Sequence, residues 1–150
     1  MTRVCLVGSE DTELRYELLS RETAREALLT YDLSAPYENT VALETVSLGA
    51  AVAILNDLTW YLARFVEEAL VLEPSISGDE WLSKALAASV RNETVAPEAS
   101  GRYLKVFGIV EGRLVEPMFV TRTGPELPEY DLQDVDGTLV VRVTESEFGA

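Results

Sequence analysis

Apolar and polar positions alternate in blocks along this chain, and each block implies an element. Residues 3–7, "RVCLV", form a short apolar run with no helical period and predict a buried strand. From Thr12 to Tyr31, Leu14, Leu18, Ala24, Leu28 and Tyr31 recur at helical steps, with Ser20 placed to interrupt them. "DLSAPYENT" reads as a loop and residues 41–46, "VALETV", as a second strand. The stretch after it is the least polar in the chain. Over residues 48–71 the pattern predicts one amphipathic helix, with Ser47 as N-cap. Val52, Leu55, Leu58, Leu62, Phe65, Val66 and Ala69 would face a core. Asp57, Arg64 and Glu68 would face water, with Arg64 and Glu68 as an i,i+4 pair. Glu73-Pro74 would end this helix.

Ser77 followed by Glu80 has the spacing of a capping box and predicts a helix over residues 79–92, with Trp81 turned inward. Residues 93–101 read as a linker. The last third changes character: "RYLKVFGIV", "RLVEPMFVT" and "TLVVRVTE" are strand-like. Pro117 confines the second of these to an edge or a bulge. Glutamate disfavours positive φ, so Glu111-Gly112 suggests a loop wider than two residues. Asp136-Gly137 turns the chain into the last strand. The expected fold is a single α+β domain over residues 1–150, with about three helices on a mixed or antiparallel sheet of about four or five strands. The last three strands would form a meander packed against the long helix.

Length and composition fit that picture, since 150 residues with 47% hydrophobic content can bury a core unaided. Charge changes it. There are 26 acidic against 12 basic side chains, a net charge of −14, and only Lys84 and Lys105 are lysines. Such a charge repels itself in dilute buffer, and screening removes the penalty in concentrated salt. The acids are spread along the chain with no acidic tail, which favours adaptation to high salt over a surface made for a basic partner or a mildly over-acidic ordinary domain. No membrane span is expected, because Asp57 follows a charge-free run from Thr45 to Asn56 that is shorter than the about 20 residues a span requires. The N-terminal apolar run is too short for a signal peptide, so the expected location is cytoplasmic and the "NET" sequon at Asn92 is read as chance.

Candidate chemistry is sparse. The chain has no His, which removes the commonest general base and metal ligand, and its one cysteine, Cys5, sits in an apolar run as an inert thiol. "LVGSED" places Gly8 and Ser9 between a strand and a helix, with Arg15 nearby as an anion contact. The dinucleotide and P-loop fingerprints are incomplete there, and Glu10, Asp11 and Glu13 would repel phosphate. In "DLQDVDG" a calcium frame fails at Leu132 and Val143. Glu67-Glu68 is the obvious carboxylate pair, but adjacent helical residues do not face each other. Tyr103, Lys105 and Phe107 share one strand face in the manner of a single-strand RNA platform, which the net charge opposes. Trp60 and Tyr61 lie between Asp57 and Arg64, where a partly exposed Trp beside Arg would anchor an interface.

The runs "MTRVCLVG", "LRYELLSRETAR", "LETVSLGAA" and "LNDLTWYLARF" resemble a family of small uncharacterised proteins from salt-loving archaea. The resemblance implies a high-salt cytoplasm and no particular reaction. The leading expectation is a non-enzymatic interaction or regulatory module, with a protein partner or a second copy held by Trp60, Tyr61 and Arg64. No cofactor, metal, membrane or nucleic acid is called for. The alternative is a small-ligand sensor or enzyme using Gly8, Ser9 and Arg15.

Overall fold

The computed structural model describes residues 1–127 and 134–148. In chain order it contains β1 (Thr2–Gly8), α1 (Leu14–Leu19), α2 (Glu22–Leu28), β2 (Thr40–Thr45), α3 (Leu48–Asp57), α4 (Thr59–Phe65), β3 (Val66–Leu72) and β4 (Trp81–Ser83). Then follow α5 (Lys84–Arg91), β5 (Tyr103–Val110), β6 (Arg113–Thr121), β7 (Gly137–Val143) and α6 (Glu145–Phe148). The class is α+β with one mixed sheet, but seven strands and six α-helices stand among the described residues, against the smaller numbers expected. Strand order is β2-β1-β3-β4-β7-β5-β6, antiparallel except where β4 runs parallel to β7.

The predicted helix over 48–71 is the main correction. Ser47 caps it as expected, its Oγ accepting from the Ala50 amide at 3.1 Å. The helix breaks at Leu58, resumes as α4 and ends at Phe65, and residues 66–72 are a strand. The cause is tertiary. β3 lies between β1 and β4, and its consecutive Leu70 and Val71 are buried on opposite faces of the sheet. An apolar run buried on both sides is a strand signature that overrides helical propensity. Glu68 therefore never meets Arg64 and pairs instead with Lys105 of β5. Glu73-Pro74 ends a strand, where the Glu73 carboxylate accepts from Thr2 Oγ1 at the foot of β1.

The same override reshapes residues 79–92. Ser77 Oγ accepts from the Glu80 amide at 3.0 Å, half of a capping box. The Glu80 side chain turns away to two arginines, and Trp81–Ser83 joins the sheet. Ser83 then becomes the true N-cap of α5, accepting from Leu86 N at 3.1 Å. A reciprocal capping box forms instead at Thr144 and Glu147, opening α6. Ser20 does separate two helices, and Pro117 does lie on an edge strand, β6.

The last three strands are not a meander. β5 and β6 form a hairpin, and β7 returns to the other side of β5. The hairpin turn has only Glu111 and Gly112, both at positive φ (50° and 78°), so the wider loop does not occur. Asp136, discounted as a calcium ligand, steadies that turn by accepting from the Glu111 amide at 2.9 Å. Leu132 and part of the irregular stretch 123–137 lie outside the described residues.

The helices cover one face of the sheet's N-terminal half, where Val4, Leu6, Val41, Leu43, Val71 and Leu82 meet Leu14, Leu28, Ile54, Leu55 and Leu62. On the opposite face Cys5, Ala42, Leu70 and Trp81 pack with Phe107, Leu139 and Val141. The sheet curls so that its ends approach, and the Glu38 amide donates to Gly112 O at 2.8 Å across the gap. The two halves of the expected long helix, α3 and α4, therefore rest on β1, β2 and β3 and not on the C-terminal strands as expected, where α5 touches β7 and the short α6 packs on β5. No helix among the described residues is long and apolar enough to cross a membrane.

Candidate functional site

Trp60 projects from α4 and is 51% exposed. Its place follows from the break at Leu58. Leu58, Tyr61 and Leu62 are buried, and the positions between them point outward. The Arg64 guanidinium lies over the Trp60 ring at 4.4 Å. Trp60 also meets Phe65 edge-on at 6.1 Å, and Arg21 covers Phe65 at 4.7 Å. The result is a surface row of two aromatic rings flanked by two guanidinium groups, running from α4 to the start of α2. Tyr61, expected in the patch, is 9% exposed and edge-on to Trp60 at 5.0 Å, so it underlies the row and does not form it. Arg21 is paired with Glu17 at 2.6 Å. Neither Arg64 nor Asp57, seven residues earlier at the end of α3 and also exposed, has an ion pair among the described residues.

Gly8, Ser9 and Arg15 lie elsewhere. A cleft of about 900 Å³ opens beside α1, lined by Arg15, Tyr16, Asn39 and the carboxylates of Glu10, Glu13 and Glu38. Asn39, at φ 55°, ties its floor together. Its carbonyl accepts from Gly8 N at 2.9 Å, its Oδ1 from Leu14 N at 2.9 Å, and its Nδ2 donates to Ser9 O at 3.1 Å. Ser9 N donates to Phe65 O at 2.9 Å. The amides of Gly8, Ser9 and Leu14 are thus engaged. Gly8 also sits too tightly for a side chain, since a Cβ there would come 2.6 Å from Asn39 Nδ2.

On β5 the shared face is used inside the fold. Phe107 is buried, Tyr103 packs on Phe148 at 5.1 Å, and Lys105 is held by Glu68. Cys5 is fully buried, and burial pushes its thiol up to about 12, far from the thiolate range at neutral pH. Among the described residues no group of three or more metal-ligating side chains converges.

These features define a class: an α+β domain on a single curled mixed sheet, presenting an exposed aromatic–guanidinium row. More particularly, the chain belongs to the family of unknown function DUF5804, which matches residues 2–109. The match takes in Trp60, Arg64 and the loop after β1, and ends within β5. No curated protein and no solved structure matches the chain.

Proposed function

We propose that the protein is a non-enzymatic interaction module that pairs with a second copy of itself through the Trp60 face, in a cytoplasm of concentrated salt. The observation that carries this reading is the half-exposed Trp60 with Arg64 stacked on it. Large rings beside arginine are the side chains that dominate binding energy at interfaces. The identity of the partner comes from charge order. In the sequence Asp57, the last residue of α3, and Arg64 of α4 are equally spaced from the Trp60–Tyr61 peptide. Antiparallel apposition of two copies of the segment 57–64, the end of α3 together with α4, would therefore bring Arg64 of each copy toward Asp57 of the other, with the two Trp60 rings at the centre. Two-fold interfaces require this reciprocity.

The net charge of −14 opposes such pairing in dilute buffer, and a screening length of about 3 Å at molar salt removes most of the opposition. The alternative, a small-ligand sensor at Gly8, Ser9 and Arg15, has the α1 cleft in its favour, but the loop amides are occupied and three carboxylates line the cleft against one arginine. Light scattering over a concentration series in molar KCl tests the proposal. Trp60→Ala and Arg64→Ala should each shift the protein toward monomer with little change in melting temperature, since both side chains are exposed. Association unchanged in both variants, or a wild type monomeric throughout, contradicts it.

A further inference from the structure

At the opposite end of the sheet from the Asn39 loop, three arginines converge. Arg122 follows β6, Arg142 lies on β7, and Arg102 precedes β5. They line one cleft of about 690 Å³ together with the turn at Pro97–Ala99, Gly101 and the residues 123–125. Three of the chain's twelve cations thus meet at a single opening in a strongly acidic molecule. Glu80 holds two of them: its Oε2 accepts from Arg122 Nη2 at 2.6 Å and its Oε1 from Arg142 Nε at 2.8 Å. Arg142 Nη1 donates to Ser100 Oγ at 3.0 Å. Both arginine side chains are nearly buried, 13% and 12% exposed, and are therefore fixed in orientation.

The set keeps a net positive charge, three arginines against the carboxylates of Glu80 and of Glu98, which also lines the cleft. Glu80 answers one of its two arginines in charge, and Arg102 has no ion pair among the described residues. Nor is it saturated, because the Arg122 Nε–H is buried without an acceptor among the described residues. A buried guanidinium N–H left open is costly, and its usual explanation is a missing acceptor. Gly101 makes the convergence feasible: a Cβ there would come 2.9 Å from Arg122 Nη1 and 3.3 Å from Arg142 Cζ.

We propose that this cleft binds a small molecule through an oxyanion, a phosphate or carboxylate group seated among Arg102, Arg122 and Arg142. Guanidinium forks match the paired oxygens of both groups, and planar, pre-oriented donors lose little freedom on binding. The cleft volume is within the range of metabolite sites and exceeds what the oxyanion alone would fill. The site is independent of the Trp60 face, which lies on the helical side of the sheet's other half.

Titration calorimetry on the full chain in molar KCl tests the assignment, with inorganic pyrophosphate and tricarballylate as probes. A single saturable site with Kd below about 1 mM is expected for one or both. Binding of pyrophosphate alone assigns a phosphate ligand, and binding of tricarballylate alone a carboxylate. Arg102→Ala, which removes an exposed side chain, should weaken binding roughly tenfold or more, and Arg122→Lys should do the same by losing the fork while keeping the charge. Arg25→Ala on α2 removes an equal charge far from the cleft and should leave affinity unchanged. Failure of both probes to saturate, or equal losses in Arg25→Ala and Arg102→Ala, would overturn the proposal.

Discussion

Glu80 decides more of the structure than its place in the sequence suggests. Burial pushes its carboxyl up, but the hydrogen bonds and charges of Arg122 and Arg142 outweigh this and hold it below the ordinary carboxylate value. A depressed carboxyl contributes stability that is complete above about pH 4.5, the unfolded value, and is lost as pH falls through the folded value. Glu80→Gln should therefore destabilise the protein near neutral pH and flatten the acid side of its stability profile. The expected loss is about 2–3 kcal/mol, less than for a fully buried pair because the cleft admits water. Urea unfolding at a series of pH values reads both effects, and an acid limb as steep as wild type would show that the triad does not form. Cys5 makes a second test at this scale. With its thiol raised to about 12 and no exposure, it should resist alkylation at about pH 8 in the folded protein and react once urea unfolds it. Labelling of the native state would contradict the packing of β1. The inert cysteine was legible from "VCLV" alone. The arginine triad was not, because Glu80, Arg122 and Arg142 are joined only by strand pairing, which no local pattern encodes.

At the level of elements, local signals read well where a segment is decided by its own chemistry. β1, β2, the Ser47 cap, the break at Ser20 and the three C-terminal strands all fall where periodicity and capping put them. Residues 66–72 did not, since "VEEALVL" satisfies a helical period and a two-sided strand equally, and only the neighbours β1 and β4 decide between them. Strand order failed for a related reason: β7 could lie beside β6 or β5 with the same alternation. The Glu111-Gly112 turn is a third case, in which register overruled residue preference. Glu111 is held at φ 50° because the pairing of Val110 with Arg113 leaves only two residues to reverse the chain. Asparagine tolerates that conformation better, so Glu111→Asn should raise stability by roughly 0.5–1 kcal/mol. The backbone hydrogen bond to Asp136 would be kept. A fall in the urea midpoint would contradict the turn geometry.

For the whole molecule, charge and shape act together. Acids outnumber bases by more than two to one, and on the exposed row an arginine with no ion pair among the described residues stacks on an aromatic ring. Association through that row should tighten as KCl rises from dilute to molar, since screening weakens the repulsion between two chains of −14 more than it weakens contacts at a closed interface. The exposed Trp beside Arg was visible in the sequence. Its setting was not, because α4 belongs to a broken helix whose end turns into the sheet. The most direct test of the pairing is a charge exchange followed by sedimentation velocity in molar KCl. Arg64→Asp alone should leave the protein monomeric, and Arg64→Asp combined with Asp57→Arg should restore the dimer. If the double variant remains monomeric while the wild type is dimeric, or if Arg64→Asp alone still dimerises, the antiparallel pairing of the Trp60 faces is wrong.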